Sequence, residues 1–223
     1  MAQSNNPSIS VIGSQFTAPN PLEVKVVTNC KGTIVITDNN ENILLQVTPC
    51  DGLSCRRRLL MDANGTPIVT IDEDGWSFHL RWNVYRGKST AKSDLIFTTK
   101  RKHASLWFKS RVNVYLAHNT SSEHIYDYKI KGDWHKNSCA VYKGYSTAAL
   151  AQMHTGQHLK KQKLDKFMVT ISPNVDYAFV AALFVIVDAM ESPYKNERVA
   201  AGETAVGISK ALLEIVTQLT RPS

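Results

Sequence analysis

Two patterns of hydrophobic and polar positions divide this chain. From residue 8 to residue 172, apolar residues come in short runs, many of them alternating with polar ones. In HLRWNVY (79–85), Leu80, Trp82 and Val84 fall on one face and His79, Arg81, Asn83 and Tyr85 on the other. VNVYLAHN (112–119) and YKIKG (128–132) alternate in the same way. Period two is the mark of a strand with one buried face. Such runs fall at 9–16, 22–29, 33–37, 43–48, 57–61, 67–72, 76–85, 94–99, 104–109, 111–118, 124–130, 138–143, 147–154 and 166–172. Between them stand DNNEN (38–42), DANGTP (62–67), DEDGW (72–76) and HTGQ (154–157), rich in residues that tolerate positive φ and close hairpins. TIVITDNNENILLQV (33–47) and RRLLMDANGTPIVTI (57–71) repeat one plan of strand, Asp-x-Asn turn and strand.

The second pattern is DYAFVAALFVIVDAM (176–190), which from Tyr177 to Val187 has no polar group except the tyrosine hydroxyl. Three fates are open to it: a membrane span, a buried strand, or a helix buried on every side. A span needs about 20 apolar residues, and Asp176 and Asp188 bracket only eleven. A strand of 4–8 residues is typically shorter than this run, and Ala178, Ala181, Ala182 and Leu183 favour helix. Asn174 or Asp176 can cap its start, and Ser192-Pro193 can stop it. A helix that is apolar all round must be enclosed. With its side chains it is about 10–12 Å wide, more than an eight-stranded barrel can hold. A dozen or slightly more strands fit a wider can with a helix at its axis. The predicted fold is therefore mainly β: a closed antiparallel barrel of about twelve strands around a C-terminal apolar helix.

These same segments carry a family resemblance. The hairpins ITDNNENILLQV and LLMDANGTPIVTI, WNVYRG (82–87) with SDLIFTTKR (93–101), and VTISPNVDYAFVAALFVIVDAM (169–190) resemble the LURP-one-related proteins of plants. Those share the tubby-like C-terminal fold with tubby proteins and phospholipid scramblases. The resemblance covers about residues 8–191 and implies a twelve-stranded barrel around a helix at 175–191. Its motifs are fold signatures, none of them catalytic. It implies an intracellular binding module; some plant members are linked to defence, and tubby relatives bind phosphoinositides through basic surface residues. The expected organisation is a disordered tail at 1–7, the barrel domain at 8–191, and an extension at 192–223. In that extension Ile208, Leu212, Ile215, Val216 and Leu219 share one face of a helix at 206–219.

Charge sharpens the functional reading. The 223 residues carry a net charge of +7, part of it in RRR (56–58), KRKH (100–103) and KKQKLDK (160–166). Such runs are common on solvated loops, and they also favour anionic partners. Arg56, Arg57, Arg58, Lys160, Lys161 and Lys163 are the expected contacts for an acidic headgroup. A partner of this kind is an anionic phospholipid, with an unidentified protein partner as the alternative in a scaffold role. Specific nucleic-acid binding is disfavoured, because no helix-turn-helix, zinc module or RNP-type aromatic strand is present. The expected location is the cytoplasm, peripheral at the plasma membrane. MAQSNNPSIS has neither the basic nor the apolar region of a secretory signal.

Catalytic signatures are lacking. There is no Gly-x-Ser-x-Gly and no phosphate loop. DANGTPIVTIDE (62–73) lacks the acidic ladder of a calcium loop. His154 and His158 read as loop residues, the four cysteines as reduced buried thiols, and Trp76, Trp82, Trp107 and Trp134 as barrel core or rim. The expectation is a non-enzymatic protein without cofactor or metal.

Overall fold

In this computed structural model, residues 8–28, 32–49, 57–74, 81–102, 110–121, 125–155 and 166–191 are described. Contacts between Cα atoms group Met1–Val187 as one compact unit and Asp188–Ser223 as another. Of the second unit only 188–191, the last turn of a helix, lie within the described residues. The extension expected at 192–223, with its helix at 206–219, lies outside them.

The first unit is built from twelve strands: β1 (Leu22–Thr28), β2 (Ile34–Thr37), β3 (Ile43–Pro49), β4 (Arg57–Asp62), β5 (Pro67–Glu73), β6 (Arg81–Arg86), β7 (Leu95–Lys102), β8 (Ser110–Leu116), β9 (Tyr128–Gly132), β10 (Ala140–Lys143), β11 (Ala149–His154) and β12 (Lys166–Ile171). Each pairs antiparallel with the next, and β1 closes on β12 from Leu22↔Ile171 to Val27↔Lys166. Among the described residues no edge strand is left open, so none of these strands offers unpaired ladder groups to a stray strand. Bulges at Ile36/Thr37, Leu60/Met61, Val84/Tyr85 and Val141/Tyr142 supply local twist for closure. This is the tubby-like barrel that the hydrophobic pattern and the family resemblance implied.

The pleat sorts each strand into two faces. Leu45, Val47, Leu60, Ile71, Trp82, Val84, Phe97, Val114 and Ile130 are buried against the interior. The helix α1 (Tyr177–Glu191) fills that interior with its part up to Val187, and every residue from Ala178 to Val187 is buried. Phe179 meets the edges of Phe97 and Tyr128 at centroid distances of 5.3 and 4.9 Å. Further along, Phe184 lies 6.0 Å from Phe167 and 6.4 Å from Trp134. Burying side chains of this size contributes about 1.5–3 kcal/mol each as an upper bound, so the helix and the wall stabilise one another. No helix among the described residues is long and apolar enough to cross a membrane.

Asp176 fixes the start of α1. Its Oδ1 accepts from the Phe179 amide at 2.9 Å, the usual cap bond to the third helical residue. Its Oδ2 accepts three consecutive amides, Val11, Ile12 and Gly13, at 3.1, 2.7 and 3.0 Å. That second grip corrects the strand expected at 9–16. The segment makes only single-residue bridges, Ile9 with Val175 and Thr17 with Asp176, before and after a one-turn 3-10 helix at Ser14–Phe16. Its amides turn toward a carboxylate instead of a neighbouring strand. The run expected at 104–109 lies outside the described residues. The other run above the final twelve therefore belongs to a cap over the helix start.

The two echoed hairpins close alike. Asp38 Oδ1 accepts from the amides of Asn40 and Asn42, both at 2.8 Å. Asp62 Oδ1 accepts from those of Asn64 and Thr66 at 2.9 and 2.7 Å, with Gly65 at φ +80°. His154 is the last residue of β11, where the run at 147–154 ends, and Gly156 and Gln157 of HTGQ lie outside the described residues. One glycine is required by space: at Gly132, φ +147°, a Cβ would collide with the Ser138 carbonyl and the Cys139 backbone.

Candidate anion-binding face

The outside of the wall is uneven in charge. No Asp or Glu occurs between Asp94 and Glu123, and β7, β8 and β9 contain none. With Phe97, Val112, Val114 and Ile130 turned in, the pleat turns Lys100, Arg111, Asn113, Tyr115, Lys129 and Lys131 out. Register then lines them up. Arg81 pairs with Lys100, Lys100 with Asn113, Asn113 with Lys129, and Lys129 with Tyr142. Arg111 pairs with Lys131 in an adjacent row. Neighbouring strands are about 4.8 Å apart, so these groups form a compact basic face across β6 to β10.

Tyrosines hold the cations of this face. The Lys100 ammonium lies 5.3 Å from the Tyr115 ring centre. That of Lys129 lies 5.9 Å from Tyr126 and 5.6 Å from Tyr142. Arg111 stands over the Tyr126 ring at 5.3 Å and donates from Nη2 to its hydroxyl at 2.9 Å. Ring faces attract cations through their quadrupole. Two atoms here are buried without a hydrogen-bond partner, Arg111 Nε and Asn113 Oδ1, as is Arg81 Nε at the end of the row. Asn113 is 1% exposed and Lys129 5%. No hydrogen bond or ion pair to the Lys129 ammonium occurs among the described residues.

The cationic residues singled out from the sequence fare differently. Arg57 stands on the outer face of β4, 3.2 Å from Asp72 in an exposed ion pair. Arg58 shares the inward face of β4 with Leu60, and its Nη1 donates to the Val185 carbonyl of α1 at 3.5 Å. The pleat thus separates neighbours that sequence places in one cluster. Arg56, Lys160, Lys161 and Lys163 lie outside the described residues. Sequence reasoning passed over Arg111, Lys129 and Lys131 because they are not consecutive. The acid-free stretch from 95 to 122, read together with the alternation of 128–132, was the signal that could have found them.

Other polar features are modest. His154 Nε2 meets Thr170 Oγ1 at 3.1 Å and Glu23 at 3.3 Å on the outside of β11, β12 and β1. A cavity of about 290 Å³ opens beside Arg86, Asp94 and His118. Cys139 is a buried thiol. No group of three or more metal-ligating side chains occurs among the described residues.

Comparison with known proteins gives a consistent result. Residues 22–188 match the family described as LURP-one-related. Two curated Arabidopsis thaliana relatives, Protein LURP-one-related 10 and Protein LURP-one-related 15, are each 42% identical to this chain. The first alignment covers 81% of this chain and 95% of the relative, the second 80% and 84%. Protein LURP1 of the same plant is 36% identical over 81% of this chain and 89% of its own. An X-ray structure of an Arabidopsis thaliana protein superposes with a TM-score of 0.66 at 40% identity, covering 82% of this chain and 99% of that one.

Proposed function

We propose that this protein, which belongs to the LURP-one-related family, is a non-enzymatic module that docks by its basic face on acidic phospholipid. One observation carries the reading. The outer surface of β7, β8 and β9 presents Lys100, Arg111, Lys129 and Lys131, with no carboxylate on any of the three strands. A surface of one sign attracts a layer of the other, at about 1 kcal/mol per Lys or Arg near an anionic membrane. The helix fills the barrel interior, which leaves the wall for contact with other molecules. The setting we propose is peripheral binding at the plasma membrane, in plant defence signalling.

The test is vesicle sedimentation over a salt series. Wild-type protein is expected to sediment with vesicles containing phosphatidylserine at low salt and to be released as salt shortens the reach of surface charge, about 10 Å at 0.1 M. A variant with Lys100, Arg111 and Lys131 changed to glutamine should need less salt for release. Failure of the wild type to sediment at low salt would overturn the reading and favour a scaffold for protein partners.

A further inference from the structure

We propose that this face contains a seat for one phosphate monoester, made by Lys129, Asn113 and Arg111 between the rings of Tyr126 and Tyr142. The proposal rests on the reading of this face as anion-binding and narrows it from diffuse attraction to one chemical group.

Diffuse attraction acts through cations spread freely over a surface, whereas Lys129 is packed in among the tyrosines and only the tip of its side chain reaches solvent. Its side chain is 5% exposed, and its ammonium has aromatic faces at 5.9 and 5.6 Å as its partners. An ammonium has three donors to offer, and no acceptor among the described residues takes those of Lys129. Directly across the ladder sits Asn113, 1% exposed, with Oδ1 unpartnered and Nδ2 3.5 Å from the Tyr115 hydroxyl. A half-turn of the amide exchanges these two atoms: Tyr115 then donates to the oxygen, and the amide donors face the unpartnered side. Arg111 adds a guanidinium whose Nε is buried without a partner and whose Nη2 is tied to Tyr126. Three donor groups thus come together where no carboxylate on β7, β8 or β9 answers them.

A phosphate monoester matches that arrangement. It offers three unsubstituted oxygens and a charge of about −1.5 to −2 near neutral pH. A diester offers two such oxygens and one charge, and carries a second substituent past the tyrosines. Charge-assisted bonds to a phosphoryl oxygen are the strong kind. Base stacking is a poorer match, because Tyr126, the ring that Arg111 covers, is itself buried.

Both soluble and lipid monoesters present this chemistry, and the experiment separates them. In two-dimensional NMR, titration with glycerol phosphate should move the Asn113 side-chain amide saturably. Dimethyl phosphate should bind at least about tenfold more weakly. Lys129→Met should weaken glycerol phosphate about tenfold. Lys131→Met, which removes the same charge from an exposed place on the same strand, should weaken it less than about threefold. Equal losses in the two variants, or no preference between the two probes, would overturn the seat. The probe comparison is made on wild-type protein and decides the matter even if Lys129→Met does not fold. In vesicles matched for surface charge, phosphatidic acid should be preferred over phosphatidylglycerol. Vesicle binding without that preference sinks the seat and leaves the docking reading standing. Glycerol phosphate binding without vesicle binding does the reverse.

Discussion

Asp176 and Lys129 are both buried and ionisable, and the fold treats them in opposite ways. Asp176 is fully buried and accepts four backbone amides at 2.7–3.1 Å. Its environment is complete, and it ties the segment at 11–13 to the first turn of α1. Lys129 is nearly as buried and faces two aromatic rings, with an amide oxygen left without a partner on the next strand. A charge surrounded by its own chain's hydrogen bonds works for the structure. A charge held in place and left short of oxygen acceptors is available to something else. Position agrees with chemistry: Asp176 lies at the start of the core helix, and Lys129 on the outward face of β9.

The comparison breaks first at Asp176. Its replacement by alanine leaves three consecutive amides and a helix amide unanswered in a buried place. The expected loss is about 3–5 kcal/mol in urea unfolding, since a buried donor left unsatisfied costs roughly 1–3 kcal/mol. A loss below about 1 kcal/mol would mean that water reaches these amides and the carboxylate is no pin.

Lys129→Met should move stability the other way or not at all. The stem is kept, and an ammonium short of acceptors is exchanged for a thioether. The gain should not exceed about 2 kcal/mol, because cation–π attraction of about 0.5–2 kcal/mol is also given up. A large loss on unfolding would place Lys129 with Asp176 among the structural charges.

pH gives a smaller and signed effect. Burial pushes the Asp176 carboxyl above its ordinary range, and the amides of Phe179, Gly13, Ile12 and Val11 pull it back. With a raised folded-state pKa, its contribution is complete below the unfolded value of about 3.9 and is lost as pH rises through the folded value. The stability gap between wild type and Asp176→Asn should therefore narrow as pH climbs from that point, followed by denaturant midpoints. Asp38 runs in the opposite direction. The Asn42 side chain lowers its pKa, so its contribution is present at neutral pH and fades on acidification. A gap that widens with rising pH would show that the amide cage outweighs burial at Asp176.

The smallest change is expected at Arg57. Its ion pair with Asp72 is exposed, so Arg57→Gln should alter stability by less than about 0.5 kcal/mol. A larger change would mean that outer-wall ion pairs contribute to the barrel in a way that the two buried charges alone do not describe.

Much of the architecture was legible because it is written in local periods. Alternation at 79–85 and 112–119 set faces, Asp-x-Asn turns set hairpins, and an unbroken apolar run demanded enclosure. The segment at 9–16 misled because its apolar residues resemble a strand, while its amides are claimed by Asp176, more than 160 positions away. The run at 56–58 shows a related limit. RRR reads as one cluster, but side chains on a strand alternate, so Arg57 and Arg58 face opposite ways.

The sequence by itself determined that there would be strands, where they would turn, and that a helix with no polar face must lie inside them. These follow from the chemistry of neighbours, because pleat and helix periods span only a few residues. Only the tertiary structure decided that Asn113 would stand beside Lys129, that Arg111 would reach Tyr126, and that Asn113, Arg111 and Lys129 would lie on neighbouring strands without carboxylates. Those pairings depend on the register of strands in a closed ring, and register is set by the whole circuit of the barrel and not by any one segment.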